Sequence, residues 1–280
     1  MPAPDTVSHS RYPRYAKDFA DLTGMLEAHL IPPFIPKSPI FDAASKIGTQ
    51  GSCFAENLAA SLQKAGASAH CMQLAEAINS PLANRILLEH ALYPKKPYSH
   101  PRLEEYFNRA QAAQLRDSIA TFDVYVVTCG LAFSWFSKAN GKPTVGTDTD
   151  NLHLYEQRLE GVRENAEHIR AMVTAIRAIN RNIKIVLTVS PVPMAVDFSG
   201  RPAMVADMLS KSTLRLALDD FMKSAPQDIY YWPALEIVRW VGGHTGPVFG
   251  ADDGNARHVN IELVDLIVRL FLKHFGRGMP

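Results

Sequence analysis

Residues 47–57 read Ile47-Gly48-Thr49-Gln50-Gly51-Ser52-Cys53-Phe54-Ala55-Glu56-Asn57, and the reading of the fold starts from them. A short segment around Ser45-Lys46-Ile47 leads in, and Glu56-Asn57-Leu58-Ala59-Ala60-Ser61-Leu62-Gln63-Lys64 reads as helix. Gly51 permits a backbone turn that few other residues take cheaply. A hydroxyl or thiol placed just after it stands at a helix N-terminus, where free N–H groups and the helix dipole favour a thiolate or an oxyanion. That is a place for a nucleophile. The same residues also suit a plain strand-to-helix turn, with Ser52 as N-cap and Cys53 as a small buried residue.

Outward from this turn, helical and strand-like segments alternate. After the helix ending near Gly66 comes a short segment from Ala67 to Gln73, then helices after Pro81 and from Arg102 to about Ala120. Phe122 to Gly130 is a β-rich run closed by glycine, and Ile183 to Val189 is a second buried strand stopped by Ser190-Pro191. The spacing predicts helices over Tyr155–Ile179, Met208–Ala225 and Val259–Phe275, with a short strand at 228–231. Strands separated by helices pair in parallel, which predicts an α/β protein, a three-layer sandwich with a mainly parallel sheet. Ligand sites of such sheets lie beyond the carboxyl ends of the strands. Gly51-Ser52-Cys53, Cys129-Gly130 and Ser190-Pro191 all fall at predicted strand ends.

The 280 residues, 47% of them hydrophobic, can bury one full core. The first 45 residues, broken by Pro32-Pro33, Pro36 and Pro39 with one short helix possible between Tyr15 and Leu30, read as an arm packing on a domain of residues 46–280. A formal net charge of +1, from 29 basic and 28 acidic residues, gives no electrostatic case for nucleic acid or an anionic membrane. No apolar run approaches the ~18 residues of a membrane helix, and the polar start shows no secretory segment. Cys53, Cys71 and Cys129 have neither metal-ligand spacing nor an even disulfide framework. A reducing cytoplasm is the expected compartment, and no metal is expected.

A strand-end nucleophile needs a base and a group that orients the base. Asp252-Asp253-Gly254-Asn255-Ala256-Arg257-His258 brings carboxylates and an imidazole together in a turn-rich loop before the last helix. His258 is the candidate base, with Asp253 or Asp252 orienting it; the other reading is a surface loop whose aspartates serve the turn. Lys211, at a predicted helix start, either meets an anionic group or is an ordinary solvated lysine. Glu236 either lines the pocket or pairs with Arg239. Trp135, Trp232 and Trp240 are a sugar-stacking wall or buried core. Gly242-Gly243-His244-Thr245-Gly246 reads as a mobile loop, and Cys129 as a packed strand residue.

Gly51-Ser52-Cys53-Phe54-Ala55 spells the motif of the GSCFA domain family, a group within the SGNH (GDSL-like) hydrolase superfamily, and the chain resembles it over most of residues 46–262. Asn79-Ser80-Pro81, Thr128-Cys129-Gly130-Leu131-Ala132 with Trp135, and Thr188 to Pro193 resemble successive family blocks. Ser210-Lys211 and the stretch Tyr231 to Glu236 resemble later ones. Three departures stand out. Asn255, not an aspartate, lies three residues before His258, with Asp253 five before it. The second-block glycine is missing near Asn79, and Ala132 occupies the place of the third-block asparagine.

The resemblance implies an SGNH-like, flavodoxin-like sandwich and acyl-ester chemistry, either hydrolysis or O-acyl transfer, on a saccharide or other small-molecule substrate. Superposing the Gly-Asp-Ser of the superfamily puts Cys53 at the nucleophile position, with Ser52 as the alternative. It implies His258 as base, Asp253 as its partner, and an oxyanion hole from the N–H groups of Cys53 and Gly130 with the Asn79 amide. Ser190, Lys211 and Glu236 are the further substrate-binding candidates. No tightly bound cofactor is implied; a transferase would take an acyl-CoA or similar thioester as donor. The rival from another class is a catalytically silent SGNH fold that serves binding or assembly.

Overall fold

The computed structural model describes residues 10–51, 53–74, 78–97, 99–100, 102–146 and 149–279. Its strands are β1 (Phe41–Asp42), β2 (Lys46–Gly51), β3 (Ser68–Gln73), β4 (Val124–Cys129), β5 (Phe133–Ser137), β6 (Pro143–Thr144), β7 (Tyr155–Leu159), β8 (Lys184–Val189), β9 (Ile229–Tyr231) and β10 (Gly276–Arg277). The helices are α1 (Leu22–His29), α2 (Cys53–Lys64), α3 (Pro81–Leu92), α4 (Leu103–Tyr106), α5 (Arg109–Thr121), α6 (Val162–Ile179), α7 (Ala203–Met222), α8 (Ala234–His244) and α9 (Ile261–Phe275).

All six residues of β4 and the last five of β8 are buried, as befits apolar strands covered on both faces. They sit inside a five-stranded sheet of order β3-β2-β4-β8-β9 in which every pairing is parallel. On one face α3, α5, α6 and α7 contribute Ile86, Leu115, Ile169 and Phe221 to a single apolar cluster. On the other, Phe54, Leu62, Ile237 and Phe271 from α2, α8 and α9 form a second. Phe19, Leu26 and Ile31 of the N-terminal segment are buried in that second cluster, and β1 pairs in parallel with β10. The sandwich has the three layers and the parallel sheet that the alternation predicts. Chain direction across the sheet reverses between β2 and β4, and the crevice of such a fold opens outside the strand ends at this switch point.

Four local expectations are corrected. Tyr155–Leu159 is not helix but β7, antiparallel to β5, which with β6 forms a small separate sheet. The helix starts only at Val162, where the Glu164 carboxylate accepts the Gly161 N–H. The helix expected from Arg102 is interrupted at Asn108, whose side chain caps α5 by accepting the Gln111 N–H at 3.0 Å. Gly242 and Gly243 are not a mobile loop; they lie within α8. Val259 precedes α9 and bridges to Phe249 instead of starting the helix.

The turn at the end of β2 is sterically closed. Gly51 has φ +150°, and an added Cβ would lie 2.9 Å from Thr128 Cβ and 3.1 Å from Ala55 Cβ. Gly66, at φ +88°, has nothing within 4 Å of such a Cβ. Gly51→Ala is therefore expected to lose about 1–3 kcal/mol more stability than Gly66→Ala, since overpacking adds to the backbone strain both share. Chemical denaturation of the two variants checks this, and equal losses would refute the close approach of β2 and β4.

Candidate active site

Cys53 opens α2 and is exposed, so it is not the small buried residue of the plain-turn reading. Its thiol stands where the first-turn N–H groups have no helical partner. Thr49 Oγ1 donates to the Ala55 carbonyl at 2.9 Å and so ties the first turn of α2 back onto β2. Ser52, the other nucleophile candidate, lies outside the described residues.

Across the switch point, Asn79 meets the end of β4. Its carbonyl accepts the N–H groups of Gly130 and Leu131 at 3.0 and 3.1 Å. This corrects one expectation: the Gly130 N–H serves the Asn79 carbonyl and is not a free oxyanion donor. The Asn79 side chain fares differently. Its Oδ1 accepts from Asn84 Nδ2 at 3.1 Å, whereas its buried Nδ2 has no hydrogen-bond partner among the described residues. A Cβ on Gly130 would come within 2.6 Å of that nitrogen. Glycine at 130 is thus needed for the amide to lie against the strand end. Ser80 caps α3 by accepting the Ala83 N–H, and its own hydroxyl proton faces the Ser134 oxygen, 3.2 Å away. Ser134 in turn donates to Glu160, whose other oxygen holds His168 Nε2 at 3.0 Å.

Asp253 and His258 form a pair, with Nδ1 2.6 Å from Oδ2. Asn255 lies on the other ring nitrogen, its Nδ2 3.2 Å from Nε2, while its Oδ1 accepts the Arg257 N–H at 3.0 Å. With Oδ1 committed, the amide presents N–H to the ring; Nε2 is then the acceptor and Nδ1 carries the proton to Asp253. That tautomer is the one a general base needs. Asp252 plays a different part, accepting the Ile261 N–H at 2.7 Å at the start of α9. The hydrogen bond from His258, and next to it the Asn255 N–H, holds the Asp253 carboxyl below the ordinary aspartate value of 3.8.

Two contacts bring this loop to the same edge of the sheet as Cys53. Arg257 Nε donates to the Pro193 carbonyl, beyond the end of β8, at 2.9 Å. Helices α2 and α9 pack side by side and run the same way. One hollow is lined by Asn57, Ser61 and Lys64 of α2 and by Ile261, Val264 and Asp265 of α9, and Ser61 Oγ donates to Asp265 at 2.8 Å. Their N-termini therefore share one edge, with Cys53 one turn before Asn57 and His258 three residues before Ile261. No hydrogen bond joins the thiol to the imidazole among the described residues.

Lys211, Ser190 and Glu236 are each bound to other groups of the protein. Lys211 is neither solvated nor placed at a helix start. It is 3% exposed in mid-α7 and its Nζ donates to the Gly130 carbonyl at 2.6 Å. Ser210 Oγ accepts the Ala132 N–H at 2.8 Å, so two consecutive residues of α7 hold the loop after β4. Asp207, one turn earlier, accepts the Met194 N–H and the Arg239 guanidinium, each at 2.9 Å. Ser190 is buried, with its N–H on the Cys129 carbonyl at 2.9 Å and its hydroxyl accepting from Val192 at 3.3 Å. Glu236 pairs with Arg215, not Arg239, and accepts from Tyr231 Oη. Arg215 and Tyr231 line a separate hollow of about 700 Å3 at the β9 edge, with Glu236 behind them. Trp135 and Trp232 are buried core, while Trp240 is 45% exposed.

Sequence reading passed over Gln50, Asn84, Tyr125 and Asp207, all buried and all bound into this edge. Their signal was polarity at core positions, legible only once the strands and helices are placed.

Two outcomes follow from these bonds. In carbon-13 NMR the Asp253 carboxyl should titrate below 3.8 and move up towards that value in His258→Ala. A folded-state value that is lowered contributes stability above the unfolded-chain value and loses it as pH falls through the lowered midpoint. Lys211→Met should cost about 1.5–3 kcal/mol in denaturant titrations, the loss of a charged donor to a buried carbonyl; a neutral result would refute the brace.

No curated protein matches the chain in sequence. Among solved structures it is similar to an acetyl xylan esterase from the rumen bacterium Butyrivibrio proteoclasticus, with TM-score 0.42 and 11% identity over 85% of this chain and 64% of that one. It is also similar to a salicylyl-acyltransferase from a tetracycline biosynthetic pathway, with TM-score 0.42 and 12% identity over 82% and 54%. A family two carbohydrate esterase from Clostridium thermocellum gives TM-score 0.40 and 14% identity over 85% and 65%. The chain spans less than two thirds of the length of each of the three. At this level of similarity they say nothing of activity. A family model, in contrast, matches residues 46–271, which include the Gly51–Ala55 turn, Asn79, Gly130 and the Asp253–His258 loop. The chain belongs to the GSCFA family.

Proposed function

We propose that this protein carries out acyl-ester chemistry through a covalent acyl-enzyme, with Cys53 as nucleophile and His258 as base. The observation that carries the reading is the Asp253–His258 pair. It is tied by Arg257 to the loop after β8 and leads into a helix that starts beside the one Cys53 opens.

The thiol passes its proton to His258 Nε2, once the Asn255 amide has left it. The thiolate sulfur attacks the acyl carbonyl, forming the S–C bond and placing the negative charge on the former carbonyl oxygen. Helix-start N–H groups and the Asn79 amide receive that oxyanion. As the C–O or C–S bond to the leaving group breaks, His258 returns the proton to it and a Cys53 thioester remains. A hydroxyl then attacks the thioester while His258 takes its proton; the C–S bond breaks and His258 returns that proton to the Cys53 sulfur, so that water completes hydrolysis and an acceptor alcohol completes transfer. A thioester is itself an activated donor, which favours transfer from an acyl-CoA or similar thioester. Its acceptor is a saccharide hydroxyl, as the SGNH resemblance suggests. A reducing compartment suits an exposed thiol. Ser52 on the same turn is the alternative nucleophile.

Intact-protein mass spectrometry after exposure to acetyl-CoA, and separately to p-nitrophenyl acetate, tests the reading. The wild type should gain one acetyl group, and Cys53→Ala and His258→Ala should not, while Ser52→Ala should behave as wild type. Loss of the adduct in Ser52→Ala alone would move the nucleophile to Ser52. A folded wild type that takes no acetyl group and turns over neither donor would instead assign a binding or assembly role.

A further inference from the structure

A row of buried side chains runs from Tyr125, the second residue of β4, to the Asn79 nitrogen that has no partner among the described residues. Tyr125 Oη donates to Gln50 Oε1, and Gln50 Nε2 donates to Asn84 Oδ1. Asn84 Nδ2 then donates to Asn79 Oδ1 at 3.1 Å. The four residues come from β4, β2, α3 and the turn before α3, and none is more than 1% exposed.

The direction of this chain is fixed by one backbone atom. Asn84 Nδ2 also donates to the Ser80 carbonyl at 2.9 Å, and a carbonyl can only accept. That contact sets which end of the Asn84 amide faces Asn79 and which faces Gln50. The Asn84 oxygen then requires the Gln50 nitrogen, and the Gln50 oxygen requires the Tyr125 proton. At the other end, Asn79 must turn its oxygen toward Asn84 and its nitrogen toward Gly130. Each amide oxygen in the row accepts a proton, and the amide nitrogen of the row with no partner among the described residues is Asn79 Nδ2, beside Gly130.

We infer that Tyr125, Gln50 and Asn84 are positioning residues, a one-way hydrogen-bond relay that holds the Asn79 amide N–H toward the place of the oxyanion. The inference rests on the acyl-enzyme reading above for what the N–H receives. Three features support it. Hydrogen bonds in a row polarise one another in the same sense, so the terminal N–H is a stronger donor than an isolated amide. A buried donor without a partner is costly to keep, so the arrangement is maintained against its own stability. The relay also supplies a side-chain donor at the edge where Ala132 offers none and the Gly130 N–H is already engaged.

Steady-state turnover of p-nitrophenyl acetate by the full chain tests the relay in a double-mutant cycle. Tyr125→Phe keeps the ring in the core and removes only the first proton. It should lower kcat at least about threefold with KM unchanged, while Asn79→Ala, which deletes the donor itself, should lower kcat roughly 100–1,000-fold. In the Asn79→Ala background, Tyr125→Phe should have no further effect, because groups acting through one another are not additive. Additive losses would overturn the relay, as would a Tyr125→Phe effect confined to KM.

A second readout does not need turnover. The side-chain amide resonances of Asn79, assigned through Asn79→Ala, should move in Tyr125→Phe and again in Asn84→Ala; if they stay in place, the relay is wrong whatever the activity. If the wild type takes no acetyl group but those resonances do move, the acyl-enzyme reading falls while the relay stands.

Discussion

Between β2 and β4 the two backbones run in register from Ile47–Val124 to Gln50–Val127, and the chain leaves them toward opposite faces of the sheet. Strand β2 feeds α2, which packs with α8 and α9, whereas β4 feeds the small sheet and then α6 on the other side. Two parallel strands that part in this way cannot close over their own carboxyl ends. The gap is held narrow because the Gly51 backbone touches Thr128 with no room for a side chain between them. Everything proposed for the site hangs on that approach. The exposed thiol sits on one lip, and the Asn79 turn, bonded to Gly130, sits on the other.

Several polar side chains are buried around this gap and bound to strand-end loops. Lys211, Ser210 and Asp207 would each be costly to bury alone. Together they satisfy the Gly130 carbonyl and the N–H groups of Ala132 and Met194, which sheet geometry leaves unpaired. Tyr125, Gln50 and Asn84 do the same for the inner side of the Asn79 turn. Such networks contribute less to net stability than to the choice of one conformation. The same loops also bury Leu131 and Met194 against Ala206 of α7.

Much of this was legible in the chain. Strands β4 and β8 declared themselves as apolar runs closed by Gly130 and by Ser190-Pro191, and the glycine turn at 51 marked the start of α2. Strand β7 did not, because Tyr155–Leu159 leads without a break into the strong helical pattern of α6 and borrows its periodicity. Helix α8 was hidden by Gly242-Gly243, which a local reading assigns to a loop; packing of Ile237, Val238 and Val241 overrides that preference. Lys211 was misplaced because a lysine is solvated by default, and the carbonyl that holds it lies 81 residues away in sequence. No spacing rule joins Tyr125 to Gln50 or Gln50 to Asn84. Those contacts exist only after the sheet has formed.

Helix α7 fastens the loop after β4 through Ser210 and Lys211, the loop after β8 through Asp207, and α8 through the Arg239–Asp207 pair. Its outward face carries Met204, Met208 and Leu216, all exposed. Mechanically it is a lever with three attachments on one side. A tilt of this 20-residue rod shifts the loops after β4 and β8 together.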